Sequence, residues 1–127
     1  MQDRPTTAEL LDALGDFMRD RAANARDRWE RFQFQVAANS IGVLLRESQM
    51  EDGFVREEWR GLDSLIGEES LPEGQAALAA RLNERNDDLA ARIRAGQFDV
   101  QGEEPLVRHL YETVMNKVRI ASPNEAT

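Results

Sequence analysis

Residues 27–50 constrain the fold more than any other segment, because they combine a helical period with apolar side chains on most sides. At about 100° per residue, the apolar residues form two nearly opposite sets: Trp29, Phe32, Val36 and Val43 on one side, and Phe34, Ala38, Ile41 and Leu45 on the other. The main polar strip consists of Arg31, Gln35, Asn39 and Arg46. A helix that is apolar around most of its circumference needs neighbours on several sides. We therefore expect this segment to be the central helix of a bundle.

Helix start and stop signals divide the rest of the chain. Capping boxes occur at 6–9, 27–30 and 70–73, Asp52-Gly53 is typical of a turn or kink, and Gly96 fits the residue that follows a helix. The pattern predicts five helices, at about 7–22, 27–50, 54–67, 71–96 and 105–121. No useful strand-like alternation is present. We predict an all-α, single-domain bundle of about five helices over residues 1–121, with a disordered tail at 122–127.

Composition excludes several classes of function. Cysteine is absent and there is one histidine, which excludes thiolate catalysis and most metal sites, so we expect no metal or cofactor and no catalytic residue. The net charge of −8 argues against nucleic-acid binding. The chain has neither a signal-peptide-like run nor a stretch of the length that spans a bilayer, so we expect a cytoplasmic protein without membrane association.

Two candidate residues lie in the last predicted helix. His109 begins a polar row with Glu112, Thr113 and Asn116, opposite much of the apolar face. Such a row could be an acid–base pair, but an exposed His–Glu pair is commoner. Lys117 falls within the apolar arc, where its stem could lie along the core while its ammonium group reaches the edge or pairs with the acidic segment.

Three further candidates lie in the second predicted helix. Asn39 is unusual in a helix interior, which favours a buried amide with a specific partner and leaves a ligand contact as the alternative. Trp29 and Phe34 belong to a set of aromatic side chains, with Phe32 and Trp59, that is larger than one thin core accommodates. An interface would use such residues.

Two segments invite opposing interpretations. Residues 51–75 contain eight acidic side chains and two arginines, so they form either an acidic docking face or, more commonly, a solvated surface. The helix predicted at 71–96 has a thin apolar stripe, which predicts a position on the surface or against a second subunit. In the second case, truncation of Leu78 and Leu89 to Ala should dissociate the oligomer without unfolding the monomer.

Three segments together resemble a known family. They are Arg4-Pro5 with Ala8–Leu11, Ala13 and Phe17, the Val36-Ala37-Ala38-Asn39 box, and Ile93–Gly96 leading to Val114, Lys117, Val118 and Ile120. The pattern resembles a small bacterial domain of unknown function. That domain occurs alone or at the C-terminus of aminoglycoside-phosphotransferase-like proteins, and its genes often lie near those of acyl-CoA dehydrogenases. The resemblance carries over no catalytic residue, and it singles out Asn39 and Lys117.

These observations favour a non-enzymatic accessory or protein-interaction domain. The resemblance implies a phosphotransferase-like or acyl-CoA-metabolising enzyme as its partner, and the wide apolar surface predicts a homodimer or other homo-oligomer. One alternative is a small ligand-binding module or enzyme whose pocket brings together Asn39, His109 and Lys117. The other is a purely structural homo-oligomer.

Overall fold

The chain is all-helical over the residues that the computed structural model describes, 4–126. Within that range it forms four α-helices and no strand: α1 (Thr7–Ala23), α2 (Arg28–Ile66), α3 (Gln75–Arg94) and α4 (Glu103–Ala121). A short 3₁₀ helix, Pro123–Ala126, lies within the predicted tail. The all-α class is confirmed, but the count of five helices is wrong. Residues 1–3 of the predicted domain and Thr127 of the predicted tail lie outside the described residues.

At the first two capping boxes, the N-cap side chain accepts the backbone bond that the sequence predicts. The Glu9 N–H donates to the Thr6 hydroxyl oxygen at 3.1 Å, and that hydroxyl donates to the Glu9 carboxylate. At the start of α2, the Glu30 N–H donates to the Asp27 carboxylate at 2.8 Å. These bonds satisfy N–H groups that a helix cannot pair internally.

The third capping box does not form, and α3 begins at Gln75 instead of near residue 71. The backbone of Glu69 is held by α2, because its N–H donates to Asp63 and its carbonyl accepts from the Trp59 indole at 2.9 Å. A residue bound in this way cannot lead into a helical turn at Ser70. Tertiary hydrogen bonds therefore override the local start signal.

The turn predicted at Asp52-Gly53 is also absent, because α2 runs through it as one helix of 39 residues. A glycine in a helix interior costs only about 1 kcal/mol relative to alanine. The two residues instead mark a boundary of packing. The chain divides into a first compact unit, residues 4–52 with 118–126, and a second, residues 53–117.

The second unit contains the main hydrophobic core. Its buried side chains are Trp59, Leu62, Leu82, Leu89, Phe98 and Leu106. Leu82 and Leu89 come from α3, and Leu78 packs against the same cluster. The interpretation of this stripe as a seam for a second subunit is therefore wrong, because the stripe is the core contribution of α3. Trp59, which the sequence assigned to an interface, lies at the centre of that core.

The first unit buries mainly small residues. Gly15 and Ala22 of α1 and Ala38 of α2 are buried, and Gly15 lies against Ile41. Large apolar side chains of this unit remain exposed: Leu10, Leu14 and Phe17 on α1, and Trp29, Phe32, Val36 and Leu44 on α2. The expectation that residues 27–50 are covered on nearly all sides is therefore wrong for the chain alone.

Candidate functional site

Helix α4 turns two polar side chains inward and leaves four large apolar side chains exposed. His109 and Asn116 are buried, at 8% and 7% exposure, together with Leu106. The exposed side chains on the other face are Val107, Leu110, Tyr111 and Val114. The sequence predicted the reverse, with His109 on a wet surface. We call these four exposed side chains the α4 apolar face.

The inward polar face of α4 packs against matching features of α2. The Asn116 side-chain amide donates to the Glu57 carboxylate at 2.8 Å, and the imidazole of His109 lies directly against Gly61. A Cβ atom on Gly61 would overlap that imidazole. The sequence contains a signal for this arrangement in Gly61, since a glycine inside a helix can mark close approach of a neighbour.

The buried polar cluster extends to α3. Asn86 donates to the carboxylate of the buried Glu58 at 3.2 Å. Burial lowers the pKa of His109, while the nearby carboxylates of Glu58 and Glu112 act in the opposite direction. Across residues 4–126, every buried side-chain nitrogen or oxygen has a hydrogen-bond partner. The polar groups of this cluster thus serve to join α2, α3 and α4.

Arg85 has a structural role that the sequence pattern does not indicate. It interrupts the apolar stripe of α3, yet it is 2% exposed. Its guanidinium lies over the Trp59 ring at 4.4 Å, pairs with Asp63 at 2.9 Å and donates to the Gly67 carbonyl at 2.7 Å. Arginine is suited to this position because its planar group can stack and donate in several directions. A buried arginine thus holds the end of α2 against α3.

The acidic segment 51–75 fits neither interpretation fully. Four of its eight acids bind residues of α3 or α4: Glu57 to Asn116, Glu58 to Asn86, Asp63 to Arg85, and Glu69 to Arg81. The Arg81 guanidinium holds the pKa of Glu69 below its usual value. Half of the segment therefore joins helices of the second unit, which explains part of its charge without a docking partner.

The five predicted site residues are divided between the two units. Asn39 lies in the first unit with Trp29 and Phe34, whereas His109 and Lys117 belong to the second. Trp29 is exposed and stacks on Phe32 with ring centroids 5.8 Å apart. Phe34 is half-buried beneath the Arg21 guanidinium at 5.4 Å. Lys117 is exposed.

Asn39 is exposed, and the prediction of a buried amide is wrong. It lies between two cavities of the first unit, which share Arg19, Ala38 and Asn39 in their linings and measure about 340 and 450 Å³. We call the two together the α1–α2 groove. Arg31 and Gln35 line the first cavity, and Gly42 and Arg46 line the second. The polar strip of α2 therefore faces open space.

Two further features bear on possible functions. Within residues 4–126, no group of three or more histidine, aspartate or glutamate side chains could hold a metal ion. In the same part of the chain, every helix is too short or too polar to cross a membrane.

Comparison with known proteins identifies the family. Neither the curated proteins nor the solved structures contain a match to this chain. A family model, described as Domain of unknown function (DUF6285), matches residues 22–125. This range contains all of α2, α3 and α4, and with them the α4 apolar face and the α2 side of the groove. The chain therefore belongs to the family Domain of unknown function (DUF6285).

Proposed function

We propose that this domain is a non-enzymatic protein-interaction module that works as a homodimer, formed through the α4 apolar face. The observation that carries the proposal is the orientation of α4, which buries His109 and Asn116 and leaves the four large side chains of the α4 apolar face exposed. An amphipathic helix normally turns its apolar side toward a partner. The partner of this face is then another molecule.

The ends of the face favour a second copy as that partner. Glu103 and Glu104 are exposed before it, and Lys117 is exposed after it. If two copies of α4 pair in antiparallel fashion about a point between Leu110 and Tyr111, each acidic end meets the other copy's Lys117. A twofold interface needs a surface that complements itself in this way. Antiparallel helices also place opposite dipole ends together.

The buried polar cluster supports a non-enzymatic role. The imidazole of His109 rests against the Gly61 backbone, and nearby carboxylates accept from Asn86 and Asn116. Groups engaged in this way position helices. We therefore assign them to the architecture that presents the α4 apolar face.

The dimer is tested by light scattering during gel filtration, over a range of protein concentrations. We expect the native chain to run as a dimer and Tyr111→Glu to run as a folded monomer. Val100→Glu is the matched control, because Val100 is 92% exposed, lies in the same unit and is outside α4. A native monomer at tens of micromolar concentration, or equal behaviour of the two variants, would contradict the proposal.

The orientation of the dimer has its own test. In the antiparallel pair, Glu104→Lys and Lys117→Glu each bring like charges together, and the double variant restores opposite charges. Both single variants should have a larger dimer dissociation constant than the double variant, so each should dissociate at a higher protein concentration. Exposed pairs contribute only about 0.2–1 kcal/mol each, so sedimentation equilibrium is the appropriate measurement.

The exposed stripe Trp29, Phe32 and Val36 of α2 is the second contact surface that we propose. The family resemblance favours a phosphotransferase-like enzyme of the bacterial cytoplasm as its partner, with an acyl-CoA-metabolising enzyme as the other candidate. Co-expression with the phosphotransferase-like protein should yield a complex that Trp29→Glu abolishes. Gln49→Glu, an exposed change on the same helix, should leave the complex intact. Absence of a complex with the native chain would exclude this partner.

A further inference from the structure

We propose that the α1–α2 groove is a binding site for a phosphorylated small molecule with a polar body. The groove concentrates cations in a chain that carries 24 acidic and 16 basic residues. Its lining includes Arg19, Arg31 and Arg46, whereas Glu125 is the one acid among the described residues that line the two cavities. Arginine binds phosphate through paired N–H donors.

Arg46 is held in place before any ligand arrives. Its Nε donates to the Ile120 carbonyl at 2.7 Å, which leaves the two terminal nitrogens available toward the groove. The guanidinium also lies along Gly42, with Nη1 3.3 Å from the position that a Cβ atom would occupy there. A preorganised guanidinium loses little freedom on binding an anion.

Arg19 has the same relation to a glycine of its own helix. Its terminal nitrogens lie 3.3 and 3.4 Å from the Cβ position of Gly15, and one of them pairs with the exposed Asp16. A glycine in a helix interior is unfavourable by about 1 kcal/mol relative to alanine. Two such glycines, each beneath an arginine of the same groove, are explained if the guanidinium groups must lie close to the helix surface.

The remaining lining suits an organic ligand and not phosphate alone. Gln35 and Asn39 add amide groups, which donate and accept hydrogen bonds, and Ala22 and Ala38 form a small-residue floor. The cavity volumes of about 340 and 450 Å³ fall in the range of small-molecule sites, roughly 300–1,000 Å³. Arg31 and Arg46 are separated by about 22 Å along α2 at 1.5 Å per residue. Since Arg19 and Arg46 line the same cavity, we infer an elongated ligand whose phosphate lies at these two arginines.

The experiment is a titration of the full chain with pyrophosphate and with a nucleoside diphosphate, followed by amide NMR shifts and calorimetry in phosphate-free buffer. We expect saturable shifts at residues of the groove, tighter binding of the nucleoside diphosphate than of pyrophosphate, and weakening by added salt. Arg46→Gln should raise the dissociation constant at least tenfold. Arg108→Gln is the matched control, because it removes an exposed arginine of the second unit and should change nothing.

The variant Gly42→Ala tests the position of the Arg46 guanidinium separately from its charge. The new methyl group displaces the Arg46 guanidinium while every charge remains, so we expect binding weaker by a few-fold in a chain that melts no earlier than the native one. Equal loss in Arg46→Gln and Arg108→Gln would overturn the proposal, because it indicates unspecific attraction. Binding to phosphatidic acid vesicles without binding of either soluble phosphate would also overturn it, in favour of a lipid surface.

Discussion

Replacement of Arg85 by alanine tests whether a buried cation holds the second unit together. The change removes the ion pair with Asp63, the donor to the Gly67 carbonyl and the contact with the Trp59 ring. Removal of one member of a buried pair costs about 3–5 kcal/mol when the other charge stays buried. The Asp63 side chain is 22% exposed, so water relieves part of that cost.

We therefore take the lower end of this range, about 3 kcal/mol, as the starting value for the cost of Arg85→Ala. The cation–π contact adds roughly 1 kcal/mol, and the lost donor to the Gly67 carbonyl adds a similar amount. These contributions share one side chain and do not add fully. We expect a loss of about 3–4 kcal/mol in the free energy of unfolding, a large part of the roughly 5–15 kcal/mol that a domain possesses.

The assay is urea unfolding followed by circular dichroism, at one fixed protein concentration because self-association adds to apparent stability. Arg81→Ala is the matched control. Arg81 lies one turn earlier on α3 and pairs with Glu69, but both side chains are more than a third exposed. Pairs at this exposure contribute about 0–1 kcal/mol. Arg85→Lys keeps the charge and loses the planar group, so we expect an intermediate loss.

A double-mutant cycle identifies the cause of the loss. Asp63→Asn keeps an oxygen that can accept from the Glu69 N–H and removes the negative charge. In the Arg85→Ala background this second change should cost less than in the native chain, or even restore stability. The reasoning is refuted if Arg85→Ala costs no more than Arg81→Ala, or if the two changes at 63 and 85 add independently.

Two further predictions concern α2 and the buried histidine. Gly61→Ala should destabilise the chain by about 1–3 kcal/mol, because the new methyl group overlaps the His109 ring. Gly53→Ala has open space at its Cβ position and should stabilise the chain by roughly 0.5–1 kcal/mol. The two variants should therefore shift the melting temperature in opposite directions, and shifts in the same direction would contradict the prediction. The pKa of His109 is lower in the folded chain than its ordinary 6.5, so from about pH 6.5 downward the unfolded chain binds more protons and stability falls with pH, until the folded pKa is passed. His109→Gln should flatten the stability profile in this window, and an unchanged slope would show that the histidine is not the source of the pH dependence.

Sequence patterns predicted the local features of this molecule better than its tertiary ones. The capping bonds at Thr6 and Asp27 and the turn at Gly96 depend on residues within a few positions of each other, and all three are present. The failure at Ser70 has a different origin. Glu69 is bound by Asp63 and Trp59, which lie six and ten residues away, and no local pattern contains that information.

The Asp52-Gly53 signal shows how a local feature can be meaningful and still be misread. The residues on either side favour a helix strongly enough that one glycine does not end it, so α2 continues. The packing nevertheless changes at this point, since the first compact unit ends at Asp52 and the second begins at Gly53. A weak helical position was therefore correctly detected, and its consequence lies in which neighbours the helix contacts.

The orientation of α4 could not be predicted from its own sequence, because periodicity defines two faces and does not say which one is buried. The outcome depends on α2, where Gly61 leaves room for an imidazole and Glu57 offers an acceptor to Asn116. Those features favour burial of the polar face of α4, since the Asn116 amide finds an acceptor there and the imidazole of His109 finds space. The same fit leaves Val107, Tyr111 and Val114 in solvent. We expect a partner to cover those side chains in the working state, and for this reason the oligomeric state is the most informative property to measure.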